Sequence, residues 1–223
     1  MDRFIRFVNL MINDVTYLLD ESLTDLVKIH ELQTEMADTE GFSRQPLQYR
    51  REREGNLRSL ERQTTTYTQL GSSTVALLKM FTAETKEPFM VPEIVDRLAA
   101  MLDYNLDALA GPRCSELKVK NPEKYKFQPR ALLVDILEVY LSLSEQGEFA
   151  RAVANDGRSY KKELFEKAAK ICAKFHLLKS DNEVEKLRLF VVKVEEMKAT
   201  IEAEEDLGEV PDEFLGEPLR CDV

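Results

Sequence analysis

Apolar residues recur at the spacing of an α-helix along almost the whole of this 223-residue chain, and no other feature of the sequence constrains its fold as strongly. In the first segment they fall at i, i+4, i+7, i+8, i+11, i+14 and i+15, which is one face of a helix. These residues are Phe4, Val8, Met11, Ile12, Val15, Leu18 and Leu19. Ile5, Phe7 and Leu10 widen the stripe, which predicts a helix that contacts neighbours on more than one side.

Charged and polar residues divide the first sixty residues into predicted helices. Asp20-Glu21 is expected to interrupt the first helix, and Ser22 with Asp25 three residues later is typical of a new helix start. Residues 41–63 hold six arginines mixed with glutamates and few apolar anchors. Opposite charges at helical spacing predict either a solvated helix or a poorly ordered connection there. The glutamates weigh against a nuclear-import or nucleic-acid patch.

Prolines, glycines and capping residues mark the ends of the later helices. Pro92 suits the first turn of a helix, and Gly111-Pro112 is expected to end it. Ser159 is a predicted N-cap, and Ser180 with Glu183 is a predicted capping box. With only 8 glycines and 8 prolines, the chain lacks the turn residues of a β-sandwich or barrel. We therefore predict an all-α fold of about eight helices without strands.

The stretch GPRCSELKVKNPEKYKFQP, residues 111–129, is the longest predicted irregular segment. Its three prolines interrupt any helical period. Tyr125 and Phe127 are the aromatic residues within it, and we expect them to pin the segment onto the helices.

Charge and polarity argue against several classes of protein. The formal net charge of −10 disfavours broad nucleic-acid binding and attraction to an anionic membrane. Polar residues interrupt the first twenty positions, which therefore predict neither a signal peptide nor a membrane span. The cysteines, Cys114, Cys172 and Cys221, are widely spaced and odd in number. They predict free thiols in a reducing compartment, the cytosol or the nucleus.

The sequence offers little catalytic chemistry. Its two histidines, His30 and His176, are flanked by apolar residues, and no metalloprotease, phosphate-loop or serine-hydrolase motif occurs. We interpret both histidines as structural and Cys114, beside Arg113, as an unactivated thiol. Catalysis by Cys114 or His176 is the enzymatic alternative. No catalytic, cofactor-binding or metal-binding residue is predicted, no cofactor is expected, and the partner-binding residues stay unassigned.

Three stretches carry a resemblance to a known family. They are FVNLMINDVTYLLDESL at Phe7–Leu23, RLAAMLDYNLDALAGPRCSELKVKNPEKYKFQPRALL at Arg97–Leu133, and DGRSYKKELFEKA at Asp156–Ala168. They resemble the ubiquitin chain-elongation factors, in which a long helical core precedes a C-terminal U-box. The resemblance runs from Met1 to about Leu215, and the irregular segment is its most specific part because periodicity alone does not generate it.

The resemblance implies both a fold and a function. It implies an armadillo-like rod of stacked helices, an α-solenoid, of which this chain is the C-terminal part and whose N-terminal end exposes apolar surface. It implies a ubiquitin–ubiquitin ligase that lengthens ubiquitin chains on substrates for proteasomal degradation. Implied partners are polyubiquitinated substrates and an AAA ATPase or proteasome shuttle factors, with no nucleic acid and no membrane. The implied location is the cytoplasm and the nucleus.

The last residues depart from the family pattern. VPDEFL at Val210–Leu215 resembles the start of a U-box, whereas GEPLRCDV at Gly216–Val223 does not. We therefore expect residues 1–209 to be a core segment and residues 210–223 to be a disordered linker with an aborted U-box start, in which Cys221 has no role. Without a U-box the chain is expected to bind no conjugating enzyme and to be inactive alone.

An unrelated helical-repeat adaptor without enzymatic role is the alternative function. It predicts a stable monomer with a finished surface, whereas a segment of a rod is expected to self-associate through its exposed N-terminal end.

Overall fold

The computed structural model describes residues 2–208, and helices make up most of that range. Eight α-helices follow one another in it: α1 Asp2–Ala37, α2 Thr39–Ser43, α3 Leu47–Glu84, α4 Pro92–Ala110, α5 Pro129–Leu143, α6 Gly147–Asn155, α7 Lys162–Phe175 and α8 Asp181–Gly208. Three short 3-10 helices lie at Glu87–Phe89, Pro112–Leu117 and Pro122–Tyr125. The described range contains no strand, and the predicted all-α fold of about eight helices is confirmed.

The helices stack side by side around one continuous apolar core. The two longest helices, α1 and α3, form an antiparallel pair, in which the ring of Phe7 contacts that of Phe81 while Asp25 contacts Gln63. Helix α3 packs in turn on α5, and α4 joins α1 to α6 and α7. Helix α8 closes the far side by packing on α6, α7 and α5.

Gly71 allows α1 and α3 to approach closely. A Cβ atom at this position would lie 3.2 Å from Cδ2 of Leu19 and 3.5 Å from Cβ of Leu18. The glycine lies inside α3 without ending it, because the packing that it permits offsets its poor helix propensity.

The predicted break at Asp20-Glu21 is wrong, because α1 runs through it without interruption. Ser22 donates a hydrogen bond to the carbonyl of Leu18 one turn earlier, as a residue in a helix interior can. Asp25 is buried, and its carboxylate accepts hydrogen bonds from Gln63 at 3.0 Å and from Lys28 at 3.3 Å. Asp25 thus bonds to a neighbouring helix and not to the backbone of a helix start.

The arginine-rich stretch is a helix and not a disordered connection. Leu47 begins α3, which continues through residues 47–63 and beyond, so the solvated-helix interpretation of that part is confirmed. Contacts with α1 support it: the Tyr49 hydroxyl donates to Glu35 at 2.6 Å, and Nε of Arg53 lies 3.6 Å from the same carboxylate.

The later helix boundaries were predicted with mixed success. Pro92 is the first residue of α4 and Gly111 directly follows its end, as expected. Ser159 is not an N-cap; its backbone N–H instead donates to Asp156 Oδ1 at 3.3 Å in a turn, and α7 begins only at Lys162. Helix α8 does begin after Ser180, but its Glu183 side chain accepts from the N–H of Lys179, one residue before the expected partner.

The predicted boundary after residue 209 and the predicted linker at residues 210–223, with Cys221, lie outside the described residues. None of the helices within residues 2–208 has the continuous apolar length that spanning a membrane requires.

Candidate interaction surfaces

The residues considered for catalysis do not form a shared site. His30 lies on α1, where its Nδ1 is 2.7 Å from the carbonyl oxygen of Lys118. His176 is exposed at the C-cap of α7, where its φ of 49° is left-handed. Cys114 is half-buried in the 3-10 helix after α4. Among residues 2–208 no hydrogen bond joins any two of these three side chains, and no cluster of His, Cys, Asp or Glu could hold a metal.

An exposed apolar strip runs along one side of the α1–α3 pair. Its exposed members lie away from the buried positions of the two helices, whereas Phe4 and Phe81 lie at its edge and also pack against the core. Exposed members are Phe7, Leu10 and Tyr17 on α1 and Leu70 and Leu77 on α3, and half-buried members are Phe4 on α1 and Tyr67 and Phe81 on α3. We call this surface the α1–α3 strip. Leu10 is 61% exposed, Tyr17 54% and Leu70 50%.

Aromatic contacts hold the two ends of the α1–α3 strip. At one end, the ring of Phe81 packs edge-on against those of Phe4 and Phe7, with centroids 5.9 and 5.5 Å apart. At the other end, Tyr17 packs edge-on against Tyr67 at 6.0 Å. From Tyr67 to Phe81 the strip is about 20 Å long, at roughly 1.5 Å per helical residue. Several exposed apolar side chains on one side of a helix pair make this strip a candidate interaction site.

The irregular segment is fixed by a buried tyrosine. The Tyr125 hydroxyl donates to Glu61 of α3 at 2.8 Å and accepts from Gln33 of α1 at 3.1 Å. Gln33 also accepts from the N–H of Lys120 at 2.7 Å. Burial, and then the Glu61 carboxylate, raise the pKa of Tyr125 well above its usual value. Tyr125 and Phe127 are both buried, which confirms that they pin the segment.

A second polar contact lies within the core. The Tyr140 hydroxyl donates to Asp103 Oδ1 at 2.5 Å, and both side chains are buried. Asp103 also faces Asp156 of the turn after α6. Each carboxyl group has a buried Oδ2 without a hydrogen-bond partner within the described range. Asp103, Tyr140 and Asp156 together connect α4, α5 and this turn, and we assign them a structural role.

The sequence left the partner-binding surface unassigned, and the α3 half of the strip is what it missed. Leu70, Val75, Leu77 and Leu78 all belong to one apolar stretch of sequence. The structure divides them, because Val75 and Leu78 are buried while Leu70 and Leu77 are exposed. The available signal was a second spacing of i, i+3, i+10 and i+14 from Tyr67, offset around the helix from the buried positions.

Comparisons with known proteins converge on one family. A family model described as "Ubiquitin elongating factor core" matches residues 1–195. The "Ubiquitin conjugation factor E4" of Schizosaccharomyces pombe is 50% identical over 223 residues, which are 99% of this chain and 22% of that protein. The "E4 ubiquitin-protein ligase UFD2" of Saccharomyces cerevisiae is 43% identical over 226 residues, covering 100% of this chain and 23% of the relative.

More distant relatives match over the same extent. The "Probable ubiquitin conjugation factor E4" of Arabidopsis thaliana is 35% identical over 224 residues, 97% of this chain and 21% of the relative. The chain thus spans about a fifth of the length of the curated relatives that it matches. None of these matches supports the alternative of an unrelated helical adaptor.

Proposed function

Because this chain belongs to the ubiquitin elongating factor core family, we propose that it is a scaffold segment of a ubiquitin–ubiquitin ligase. Such a ligase lengthens ubiquitin chains on proteins destined for the proteasome. The observation that carries the proposal is the family match to residues 1–195, which include every helix from α1 to α7 and part of α8. Since the relatives are several times longer, ligase activity is assigned here to the longer protein and not to these helices alone.

The α1–α3 strip supports the scaffold role. In stacked helical proteins each unit buries a face against the next, and an uncovered face exposes apolar area to water. We assign the strip to contact with a neighbouring helical segment of the full-length protein. The additional length of the relatives leaves room for such a segment, and a strip of about 20 Å matches roughly four helical turns.

The partners proposed for the longer protein follow from the same family. They are proteins that already carry ubiquitin chains, and an AAA ATPase or shuttle factors that deliver them to the proteasome. Binding of the conjugating enzyme is proposed for a U-box domain of the longer protein. The cytoplasm and the nucleus are the proposed location, which fluorescence microscopy of the tagged protein tests directly.

A chimera tests the scaffold function. Residues 1–223 replace the matching segment of the S. pombe relative, and the chimera is mixed with activating enzyme, conjugating enzyme, ATP, ubiquitin and a substrate that carries one ubiquitin. We expect chain lengthening comparable to that of the unaltered relative. The 223-residue chain added alone is expected to give no chains. A folded chimera without chain lengthening, or chains made by the isolated segment, would contradict the proposal.

Two matched variants of the chimera test the role of the strip. Leu10→Asp places a charge in the α1–α3 strip, and Leu189→Asp places one on α8, at an equal exposure of 61%. We expect Leu10→Asp to reduce chain lengthening and Leu189→Asp to leave it unchanged, because a desolvated carboxylate opposes helix contact only where contact occurs. Equal effects of the two variants exclude the assignment of the strip.

A further inference from the structure

A basic face on the first half of α3 stands out in a chain whose net charge is −10. Arg51, Arg58 and Arg62 are spaced at i, i+7 and i+11, which places them on one side of the helix. All three are exposed, and none of them forms a salt bridge with another residue of the described range. This differs from Arg53 on another side of the same helix, which is paired with Glu35.

The irregular segment forms a groove with the end of this face that contains Arg58 and Arg62. Tyr125 brings the neighbouring Lys124 against α3, and a groove of about 580 Å³ opens between them. Its lining residues are Arg58, Glu61, Arg62, Thr65, Thr66 and Lys124. The carboxylate of Glu61 is already engaged, since one oxygen lies 2.8 Å from Lys124 Nζ and the other accepts from Tyr125 at 2.8 Å. The guanidinium groups of Arg58 and Arg62 therefore carry the unbalanced charge of the groove.

Gly55 leaves a notch in the same face, between Arg51 and Arg58. A Cβ atom built at Gly55 would meet no atom within 4 Å, so no packing within the described chain requires a glycine there. A glycine inside a helix nevertheless costs about 1 kcal/mol relative to alanine. At Gly71, by contrast, an added side chain would contact α1. Open space at Gly55 lets another backbone lie close to α3.

We propose that this groove, formed by α3 and the segment around Lys124, binds an acidic protein segment in an extended conformation. Arg58 and Arg62 each offer a planar pair of N–H donors that matches a carboxylate. The hydroxyls of Thr65 and Thr66 donate to backbone carbonyls within α3, so their oxygens can accept from peptide N–H groups. From Arg51 to Arg62 the face extends about 16 Å, which about five extended residues cover.

The chemistry favours a peptide over a nucleic acid. A long polyanion that reached beyond the basic face would meet the net negative charge of the protein, and at physiological salt this repulsion acts over about 8 Å. A short acidic segment fits within the face. Peptide N–H groups also match the threonine oxygens, whereas phosphate groups bring no donor. The inference rests on charge and geometry and not on the proposed ligase function.

Binding of a defined probe tests the inference. The probe is a fluorescein-labelled peptide of about eight residues, longer than the span of the face, in which Asp alternates with Ser. Fluorescence anisotropy follows its binding to the 223-residue chain. We expect saturable binding that weakens with added salt. The dissociation constant of the probe should rise about tenfold or more in Arg58→Ala/Arg62→Ala. The matched control is Arg3→Ala/Arg6→Ala, which removes the same charge from exposed arginines of α1 and is expected to bind the probe as the unaltered chain does.

Gly55→Leu separates binding from folding. This variant is expected to raise the melting temperature, because leucine is the better helix former, and to weaken binding of the probe by filling the notch. Four outcomes would overturn the proposal: no binding of the peptide, equal losses in the two arginine double variants, undiminished binding by Gly55→Leu, or tighter binding of an oligothymidine of equal charge. The last outcome would point to a nucleic acid.

Discussion

At the scale of single residues, the buried carboxyl group of Asp103 is expected to make the stability of the fold depend on pH. Burial raises the pKa of Asp103 well above its usual value, and the facing Asp156 adds to this effect, while the hydrogen bond from Tyr140 opposes it. Each carboxyl group has a buried Oδ2 without a partner in the described range. A proton held by Asp103 and donated to Asp156 satisfies both oxygens at once.

Replacement of Asp103 by Asn is expected to flatten the dependence of stability on pH. Because the folded-state pKa lies above the unfolded value near 3.9, the native protein binds more protons in the interval between the two. The free energy of unfolding contributed by Asp103 is therefore fully present below about pH 4 and falls as pH rises through the folded pKa. The loss is at most about 1.4 kcal/mol per pH unit.

Urea unfolding measured at a series of pH values checks this prediction. The unaltered chain should lose stability as pH rises above about 4, and Asp103→Asn should lose less. Asp14→Asn, at an exposed position of α1, is the control and should keep the slope of the unaltered chain. Parallel curves for Asp103→Asn and the unaltered chain would show that Asp103 does not hold the proton.

At the scale of helices, local sequence rules succeeded where a helix end depends on its own residues and failed where a partner lies elsewhere in the chain. Pro92 and Gly111 bound α4 because the ring of proline and the conformation of glycine act locally. Asp25 was assigned to a helix start, but its hydrogen bond comes from Gln63 on another helix. No spacing rule within α1 contains that information.

In the irregular segment, too, local features were predicted and distant contacts were not. Three prolines predicted its irregularity, and its aromatic residues predicted its anchors, both correctly. The residues that receive Tyr125 could not be predicted, because Gln33 and Glu61 lie 92 and 64 positions away in the chain. The basic groove could not be predicted for that reason either, since it exists only where this segment meets α3.

Tyr125→Phe is expected to loosen this segment and to lower the free energy of unfolding by about 1.5–3 kcal/mol, because the lost hydrogen bond involves a charged carboxylate. Hydrogen exchange should report lower protection of residues 118–127, including the N–H of Lys120 that Gln33 accepts. Tyr104→Phe is the matched control, since its hydroxyl donates to Asp20 at 3.0 Å on a half-exposed side chain. Equal losses in the two variants would contradict the assigned role of Tyr125.

Substitutions at two glycines of α3 are expected to change the stability of the chain in opposite directions. Gly71→Leu should destabilise the chain by about 1–3 kcal/mol, because the new side chain would collide with Leu18 and Leu19 of α1. Gly55→Ala should stabilise it by about 0.5–1 kcal/mol, because the added methyl group meets nothing and improves helix propensity. Thermal unfolding followed by circular dichroism measures both, and shifts of the same sign would refute the assigned packing of α1 against α3.

At the scale of the whole molecule, the described helices share one continuous core and leave an apolar strip exposed on their surface. The buried residues form one cluster that includes side chains from α1 to α8. The α1–α3 strip is nevertheless exposed. Its length of about 20 Å is enough to contact roughly four turns of another helix. A scaffold segment combines these properties, since it must keep its own shape while it presents a face to the next unit.

The isolated chain is therefore expected to self-associate through the α1–α3 strip. Sedimentation velocity should show a weight-average mass that rises with protein concentration, because association removes apolar side chains from water. Leu10→Asp should shift the distribution towards the 25.7 kDa monomer, whereas Leu189→Asp, at equal exposure on α8, should not. An adaptor with a finished surface would instead sediment as a monomer at every concentration, and neither aspartate would change it. The concentration dependence therefore separates a segment of a helical rod from a complete helical protein, and the two leucine variants locate the contact that makes the difference.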